Sequence, residues 1–259
     1  MPELPDLQVF SRNLTRKLSG MTLQKVKVLN GKKLNVSAKK LSESLEGQKL
    51  VQVFRDGKEL HFEFKNGNVL GLHLMLRGEL YIFENKNDRR FTIIELHFKD
   101  GVGLAMTDYQ GQATPALNPE PRQALDALSK EVNFAFLKEL LGRSKAIVKN
   151  LLLDQKMIRG IGNAYVDEIL WEAGISPFSV SNKIPEPKVK ALAKSIKAVL
   201  QQAEKNIIKT NPDIISGEVR DFLKIHNFKK THSPTGAAIE VKTTGARKTY
   251  FTQEQELFE

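Results

Sequence analysis

The alternation of apolar and polar residues predicts a β-rich first third of the chain. Short segments between residues 21 and 106 alternate in this way and are rich in β-branched or aromatic residues, as strands with one buried face are. These segments are 21–28, 50–54, 60–64, 69–74, 80–83, 91–98 and 103–106. Asp-Gly or Asn-Gly pairs at 56–57, 66–67 and 100–101 predict tight turns between strands.

A helix is predicted before these strands. Leu7, Phe10, Leu14 and Leu18 recur at the spacing that places them on one helical face over residues 6–18. We therefore expect a β-sandwich or barrel with one N-terminal helix packed on it.

Three prolines between residues 114 and 122 mark a change of pattern. Proline interrupts both helices and sheet ladders, so we expect a linker over residues 114–130. Helical periods follow it at 134–141, 145–153, 164–173 and 186–208, and two short strands follow at 238–243 and 247–251. The predicted fold is α+β, with a β-sandwich over 1–113, a helical domain over 131–225 and a β-hairpin domain over 226–259.

Composition narrows the function classes. The 259 residues carry 40 Lys and Arg against 30 Asp and Glu, which gives a formal net charge of +10 and makes nucleic acid the first partner to consider. The absence of cysteine excludes disulfides, thiolate zinc sites and cysteine nucleophiles. Neither a membrane span nor a secretory signal is evident, so we expect a cytoplasmic protein.

A glycine turn before a predicted helix is a candidate anion site. Gly160-Ile-Gly-Asn163 follows Asp154-Gln-Lys156 and precedes a helical segment. The free N–H groups and dipole at a helix N-terminus favour phosphate, and Asn163 adds a side-chain donor. Taken alone, the tetrapeptide is equally typical of a close helix–helix turn.

The N-terminus is a candidate nucleophile. Removal of Met1, which the small side chain of Pro2 permits, would leave a secondary amine followed by Glu3. An α-amino group is partly unprotonated at neutral pH and can attack the anomeric carbon of a sugar, while a neighbouring carboxylate can move protons. A proline-capped helix start is the alternative for these residues.

Two further segments carry candidate contacts. Lys58 lies in a predicted strand turn, and His73, Leu76 and Arg77 form a mixed apolar and cationic group that is suited to a DNA groove. The alternatives are a solvated lysine and a buried strand face, and we expect the buried face to hold for Leu72 and Leu74.

Together, these motifs resemble the formamidopyrimidine-DNA glycosylase and endonuclease VIII family. The matching segments span the chain in order: Pro2-Glu3-Leu4-Pro5, Arg55-Asp-Gly-Lys58, His73-Leu74 with Gly78, Leu153-Asp-Gln155, Gly160-Ile-Gly-Asn163 with Glu168, and Gly174-Ile-Ser-Pro177. The resemblance implies a Schiff-base nucleophile at Pro2, a general acid and base at Glu3, a catalytic lysine at Lys58 and a phosphate ligand at Asn163 in a helix-two-turn-helix motif. Lys156 and Arg247 complete the expected DNA contacts.

The chain departs from this family in three places. His232, Thr235, Thr252 and Gln255 stand where the family's finger has four zinc-binding cysteines, which implies a zincless finger that holds by packing. Gln110 and Gln112 replace the arginine and phenylalanine that contact the orphaned base and wedge the stack. Leu76 stands where a void-filling methionine is frequent. We expect the catalytic machinery to be kept while lesion recognition is altered.

The predicted activity is that of a bifunctional DNA glycosylase and abasic-site lyase that acts as a monomer on damaged double-stranded DNA. No metal and no organic cofactor is required for it. The main alternative is a DNA-binding protein of the same fold that has lost excision and recognises abasic or bent DNA. A third alternative is an RNA-binding protein associated with ribosomes, which leaves Pro2 and Glu3 without a role.

Overall fold

A computed structural model describes residues 1–244 and 247–259. The chain forms two compact units. Unit 1 consists of Met1–Arg122 with Ile207–Glu218, and unit 2 of Gln123–Asn206 with Val219–Glu259. The division after Arg122 falls inside the predicted linker, whereas the return of residues 207–218 to unit 1 interrupts the helical domain predicted over 131–225.

Unit 1 is a sandwich of two four-stranded sheets. Its helices are α1 (Leu4–Leu18) and α2 (Ala38–Leu45), and its strands are β1 (Leu23–Val28), β2 (Leu50–Asp56), β3 (Glu59–Phe64), β4 (Val69–His73), β5 (Glu79–Glu84), β6 (Thr92–Phe98), β7 (Val102–Thr107) and β8 (Thr114–Leu117). The sheet orders are β1-β6-β7-β5 and β2-β3-β4-β8, with antiparallel neighbours throughout. The predicted sandwich is confirmed.

The core of unit 1 follows the predicted apolar faces. Leu7, Phe10, Leu14 and Leu18 of α1 are fully buried in one cluster with side chains from both sheets. Burial of such a helical stripe is the main source of stability for a helix on a sheet. Ile214, from the segment that returns to unit 1, packs against the same cluster.

The proline-rich segment corrects the expectation of a fully irregular linker. Residues 114–117 form β8, in which Pro115 lies opposite Leu72 of β4. β8 is the edge strand of its sheet, and an edge strand tolerates proline because one side of its backbone needs no ladder donor.

Unit 2 is mainly helical. Its elements are β9 (Leu125–Asp126), α3 (Phe134–Gly142), α4 (Val148–Leu153), β10 (Ile158–Arg159), α5 (Asn163–Glu172), α6 (Glu186–Thr210, whose last turn belongs to unit 1), β11 (Glu240–Thr244) and β12 (Arg247–Phe251). β11 and β12 form the predicted antiparallel hairpin, and Gly245 and Ala246 of its predicted turn lie outside the described residues. No helix in the described part of the chain has the length and apolar character needed to cross a membrane.

Candidate active site and nucleic-acid interface

The start of α1 places Pro2 and Glu3 at a defined position. Both residues are buried, and Glu3 is the residue immediately before the helix. The carboxylate of Asp6 accepts a hydrogen bond from the backbone N–H of Glu3 at 2.8 Å, which satisfies one of the free donors at a helix start. The amino group of Met1 pairs with Glu218. While Met1 is present, the nitrogen of Pro2 is an amide.

Strand β2 runs antiparallel to α1, as the hydrogen bonds between them show. Ser19 Oγ donates to the carbonyl of Val51 at 2.7 Å, and Thr15 exchanges two 2.8 Å bonds with the backbone of Val53. Further along β2, Arg55 contacts Gln8, which lies nearer the start of α1. Later residues of β2 therefore contact earlier residues of the helix.

That last contact is made by Arg55 next to the Lys58 turn. Its Nε donates to Gln8 Oε1 at 2.9 Å, and its guanidinium also donates to the carbonyl of Gly57 at 3.0 Å. Gly57 and Lys58 form the two-residue turn between β2 and β3, and Gly57 has a φ of 59°, which glycine adopts without strain. Arg55 thus fixes the turn of Lys58 against α1, the helix that begins directly after Pro2 and Glu3.

His73 ends β4 beside this turn, and its surroundings disfavour the charged form of its ring. Burial lowers the pKa of His73, and the positive charges of Arg122 and Lys58 lower it further, against the opposing effect of Glu59. Its Nδ1 accepts a hydrogen bond from the backbone N–H of Met75 at 3.0 Å. The ring of His73 therefore orients the turn that follows it.

This turn presents Leu76 and Arg77 to solvent. Leu76 is 61% exposed, whereas Leu72 and Leu74 are buried as predicted. Gly78 closes the turn, since a Cβ at this position would lie 2.2 Å from the carbonyl oxygen of Leu74. Arg77 supplies the positive charge of the group, and Leu76 supplies an apolar tip of the kind that can enter a base stack.

The loop after β7 is held by one carboxylate. Asp108 accepts hydrogen bonds from the backbone N–H groups of Gln110, Gln112 and Ala113 at 2.7–2.9 Å. The loop also presents Tyr109, which is 59% exposed. Gln110 and Gln112 carry no ring, but this tyrosine does, and the sequence analysis did not assign it a role.

In unit 2, Gln155 shapes the glycine turn before α5. Its Oε1 accepts from the backbone N–H of Gly160 at 2.9 Å, while its Nε2 donates to the carbonyls of Leu153 and Ile161. Gly160 has a φ of 100°, a conformation that L side chains rarely adopt. The exposed Lys156 lies in the preceding turn, between α4 and β10.

Asn163 is the first residue of α5 and already has an internal partner. Its Nδ2 donates to the backbone carbonyl of Lys248 in β12 at 3.0 Å, and its enclosed Oδ1 has no partner among the residues that the structure describes. A side-chain amide carries two donor hydrogens, so one remains for a phosphate. Because Arg247 precedes Lys248 at the exposed start of β12, the structure brings Asn163 and Arg247 close together.

A buried ion pair anchors this hairpin to the helices. Lys149 of α4 and Asp167 of α5 pair at 2.7 Å, and both are buried. Lys149 Nζ also donates to Thr249 Oγ1 at 2.8 Å, and Asp167 accepts from the backbone N–H of Tyr250 at 2.9 Å and lies 2.7 Å from His226 Nδ1. Four separate parts of unit 2 meet at Asp167.

Two regions of the sequence match known domains. Residues 1–114 match the formamidopyrimidine-DNA glycosylase N-terminal domain, and residues 123–212 match the formamidopyrimidine-DNA glycosylase H2TH domain. The chain belongs to the formamidopyrimidine-DNA glycosylase family. A formamidopyrimidine-DNA glycosylase of Pelotomaculum thermopropionicum is 31% identical, with 97% of each chain covered, and one of Carboxydothermus hydrogenoformans is 34% identical, with 77% of this chain and 76% of the relative covered.

Solved structures share the fold of this chain. The Lactococcus lactis enzyme, non-covalently bound to DNA that contains an abasic site, superposes with a TM-score of 0.83 at 23% identity, with coverage of 98% of this chain and all of that one. A MutM complex with DNA that carries carbocyclic 8-oxo-G gives a TM-score of 0.86 at 24% identity, with coverage of 97% and 98%.

Three of the four residues predicted to stand in place of finger cysteines, Thr235, Thr252 and Gln255, make hydrogen bonds within the C-terminal region. Gln255 accepts from the backbone N–H of Thr252 at 2.9 Å and donates to the carbonyl of Ile175 at 2.7 Å. Glu254 accepts from Thr235 Oγ1 at 2.8 Å, and this hydrogen bond lowers the pKa of Glu254. The predicted zincless finger therefore has polar cross-links in addition to its packing. Among residues 1–244 and 247–259, no group of three or more His, Asp or Glu side chains is placed to hold a metal.

Proposed function

We propose that this chain excises oxidised bases from DNA through Pro2 and then cleaves the strand. As a formamidopyrimidine-DNA glycosylase family member, it is a base excision repair enzyme with abasic-site lyase activity, and its partner is damaged double-stranded DNA. The nitrogen of Pro2, freed by removal of Met1, attacks the anomeric carbon of the flipped nucleotide. The bond from that carbon to the base breaks, and the base leaves with its electron pair and takes up a proton.

The remaining steps follow from the covalent iminium. It acidifies the α-proton of the sugar, and loss of this proton expels the 3′ phosphate, which breaks the strand. Glu3 moves the protons of these steps, and Lys58 acts near the abasic sugar and phosphate.

The antiparallel run of β2 along α1 is the observation that carries this proposal. It supports a common location for Lys58 and Glu3, because Arg55, beside the Lys58 turn, contacts Gln8 in the first half of α1. A turn and a chain terminus that are 55 residues apart in sequence thus belong to one compact region.

We assign DNA contacts to His73, Leu76 and Arg77 in unit 1 and to Lys156, Asn163 and Arg247 in unit 2. Arg247 and Lys156 provide sequence-independent attraction to phosphate, and Leu76 fills the space that a flipped nucleotide leaves. We place the protein in the cytoplasm, on nucleoid DNA, as a monomer.

Borohydride trapping on abasic-site DNA tests the proposal, because borohydride reduces a Schiff base to a stable adduct. Protein whose N-terminal mass shows loss of Met1 should be trapped, and Pro2→Gly should be trapped more weakly. Protein that retains Met1 should not be trapped, since an amide nitrogen forms no iminium. Failure of the processed wild-type protein to form an adduct would exclude the proposed chemistry.

A DNA-binding protein without excision is the second candidate. Gln110 and Gln112 favour it, because neither provides the ring or positive charge that the family sets against the orphaned base. It predicts binding to abasic DNA with no trapped adduct, so the same experiment separates the two.

A further inference from the structure

Unit 1 contains a cleft that the proposed chemistry does not use. Its volume is about 470 Å³, within the range of small-ligand pockets. We call it the arginine–aromatic cleft and define it by Arg77, Tyr81, Arg89, Arg90, Phe91 and Tyr109. Two acidic residues, Glu79 and Asp88, also line it.

The three arginines of this cleft are not neutralised by the protein. Among the described residues, none of Arg77, Arg89 and Arg90 forms an ion pair with a carboxylate, whereas Arg16 and Arg122 elsewhere in unit 1 do. The guanidinium of Arg89 lies over the ring of Tyr81, 4.2 Å from its centre. Of the two acids, Glu79 accepts a hydrogen bond from the hydroxyl of Tyr81. The cleft therefore offers unpaired positive charge.

Two aromatic rings stand open to solvent on the same cleft. Phe91 and Tyr109 are each 59% exposed, although burying such rings is strongly favourable. Phe91 also has a φ of 59°, a strained conformation for a bulky side chain. The backbone N–H of Asp108 donates to the carbonyl of Phe91 at 3.0 Å, so the same aspartate that orders the Tyr109 loop also ties down Phe91.

We propose that the arginine–aromatic cleft binds one unpaired nucleotide of the DNA substrate. Its base would stack on Phe91 or Tyr109, and its phosphate would lie against the arginines. Exposed aromatic rings next to unpaired cations are the combination by which proteins bind single-stranded nucleic acid. This inference rests on the proposed function only in taking DNA as the ligand.

Binding of a short single-stranded oligothymidylate to the whole protein tests this inference. Phe91→Ala and Tyr109→Ala should each weaken binding about tenfold, since each removes a stacking surface. Phe91→Tyr and Tyr109→Phe should restore it, because they keep the ring. Arg90→Gln should weaken binding and lower its salt dependence, while Arg90→Lys should keep both.

Two controls isolate the cleft. Ile82→Ala removes a half-exposed apolar side chain of β5 that does not line the cleft, and it should leave oligothymidylate binding unchanged. Fully paired, undamaged duplex should bind the two alanine variants of the cleft as well as it binds the wild type, because its bases are not free to stack. Thermal unfolding of each variant checks that it is folded.

Several results would overturn the inference. Unchanged oligothymidylate affinity in both alanine variants would do so, as would equal losses on paired duplex. Competition by oligoglutamate as effective as that by oligothymidylate would assign the cleft to an acidic peptide instead. Borohydride trapping is scored separately, so a wild-type protein that binds oligothymidylate through the cleft but forms no adduct would refute the proposed function alone.

Discussion

The two units hold their candidate residues in different ways. In unit 1, Pro2, Glu3, Lys58 and Leu76 lie near a chain end or in tight turns, and the distant contacts beside them, of Arg55 with Gln8 and of Met1 with Glu218, are not fully buried. In unit 2, the hairpin that carries Arg247 is fixed through Asp167, about 80 residues earlier in the chain. Turn geometry and partly exposed contacts position the proposed reacting groups, whereas a buried ion pair positions a proposed phosphate contact.

This difference has a physical basis. A short turn adopts one conformation because of its own residues, as Gly57 and Gly78 show in unit 1. A two-stranded hairpin is marginal on its own and needs an external anchor. Replacing either partner of a buried ion pair leaves an uncompensated buried charge. The ion pair therefore stabilises the hairpin only when both partners are present.

The largest effect that we predict is on the rate of base excision and concerns the reacting groups of unit 1. Glu3→Gln should slow base excision by about 10²–10⁴-fold, the usual contribution of a positioned general acid or base, and should leave affinity for abasic DNA unchanged. Single-turnover excision and a binding titration measure the two quantities. Glu63→Gln, on strand β3, is the matched control and should be silent in both. Equal excision rates for wild type and Glu3→Gln would remove Glu3 from the mechanism.

On the unit 2 side, Asp167→Asn should reduce the free energy of unfolding by about 3–5 kcal/mol, because Lys149 would stay buried without its counter-charge. Hydrogen exchange should show the loss in the hairpin and α4, with unit 1 protection unchanged. Glu172→Gln, in the partly exposed pair with Lys224, should cost at most about 1 kcal/mol. Unaltered hairpin protection in Asp167→Asn would show that the ion pair is not the anchor.

Leu76→Ala distinguishes contacts made only after a nucleotide is flipped from contacts made to intact duplex. A residue that fills the void of a flipped nucleotide acts only after flipping. Excision should therefore slow by about tenfold, while affinity for undamaged duplex stays the same. Leu257→Ala, a similarly exposed leucine in unit 2, should change neither. Weaker binding to undamaged duplex in Leu76→Ala would place Leu76 in general binding instead.

The smallest effect concerns phosphate contacts at the hairpin. Arg247→Ala should weaken binding of damaged and undamaged duplex alike and reduce the salt slope by about one unit. Asn163→Ala should weaken binding with little change in slope, because a neutral amide releases no counterion. Arg143→Ala, which removes an exposed arginine paired with Glu139, is the control. An unaltered slope in Arg247→Ala would exclude its phosphate contact.

Much of the architecture was predictable because its signals are local. The apolar stripe of α1, the strand alternation and the glycine turns each depend on residues within one or two turns of chain. Helix α2 carries such a signal too, with Ser37 as its cap and Leu41 and Leu45 buried one turn apart, but the sequence analysis gave no element there.

The rest depends on distant partners. The Lys149–Asp167 pair joins two helices and a hairpin, and nothing near Asp167 in sequence shows that its side chain is buried. The return of residues 207–218 to unit 1 depends on Ile214, which packs against the core while its carbonyl accepts from Asn13. Tyr109 and Phe91 became candidates only when the structure placed both on one cleft.

The most direct test of the central claim is to locate the borohydride adduct on the chain. Processed wild-type protein, trapped on abasic-site DNA and digested with protease, should yield one modified peptide. We predict that mass spectrometry finds the DNA remnant on the nitrogen of Pro2. A remnant on the amine of Lys58, or on any other lysine, would contradict the assignment of Pro2 as the nucleophile.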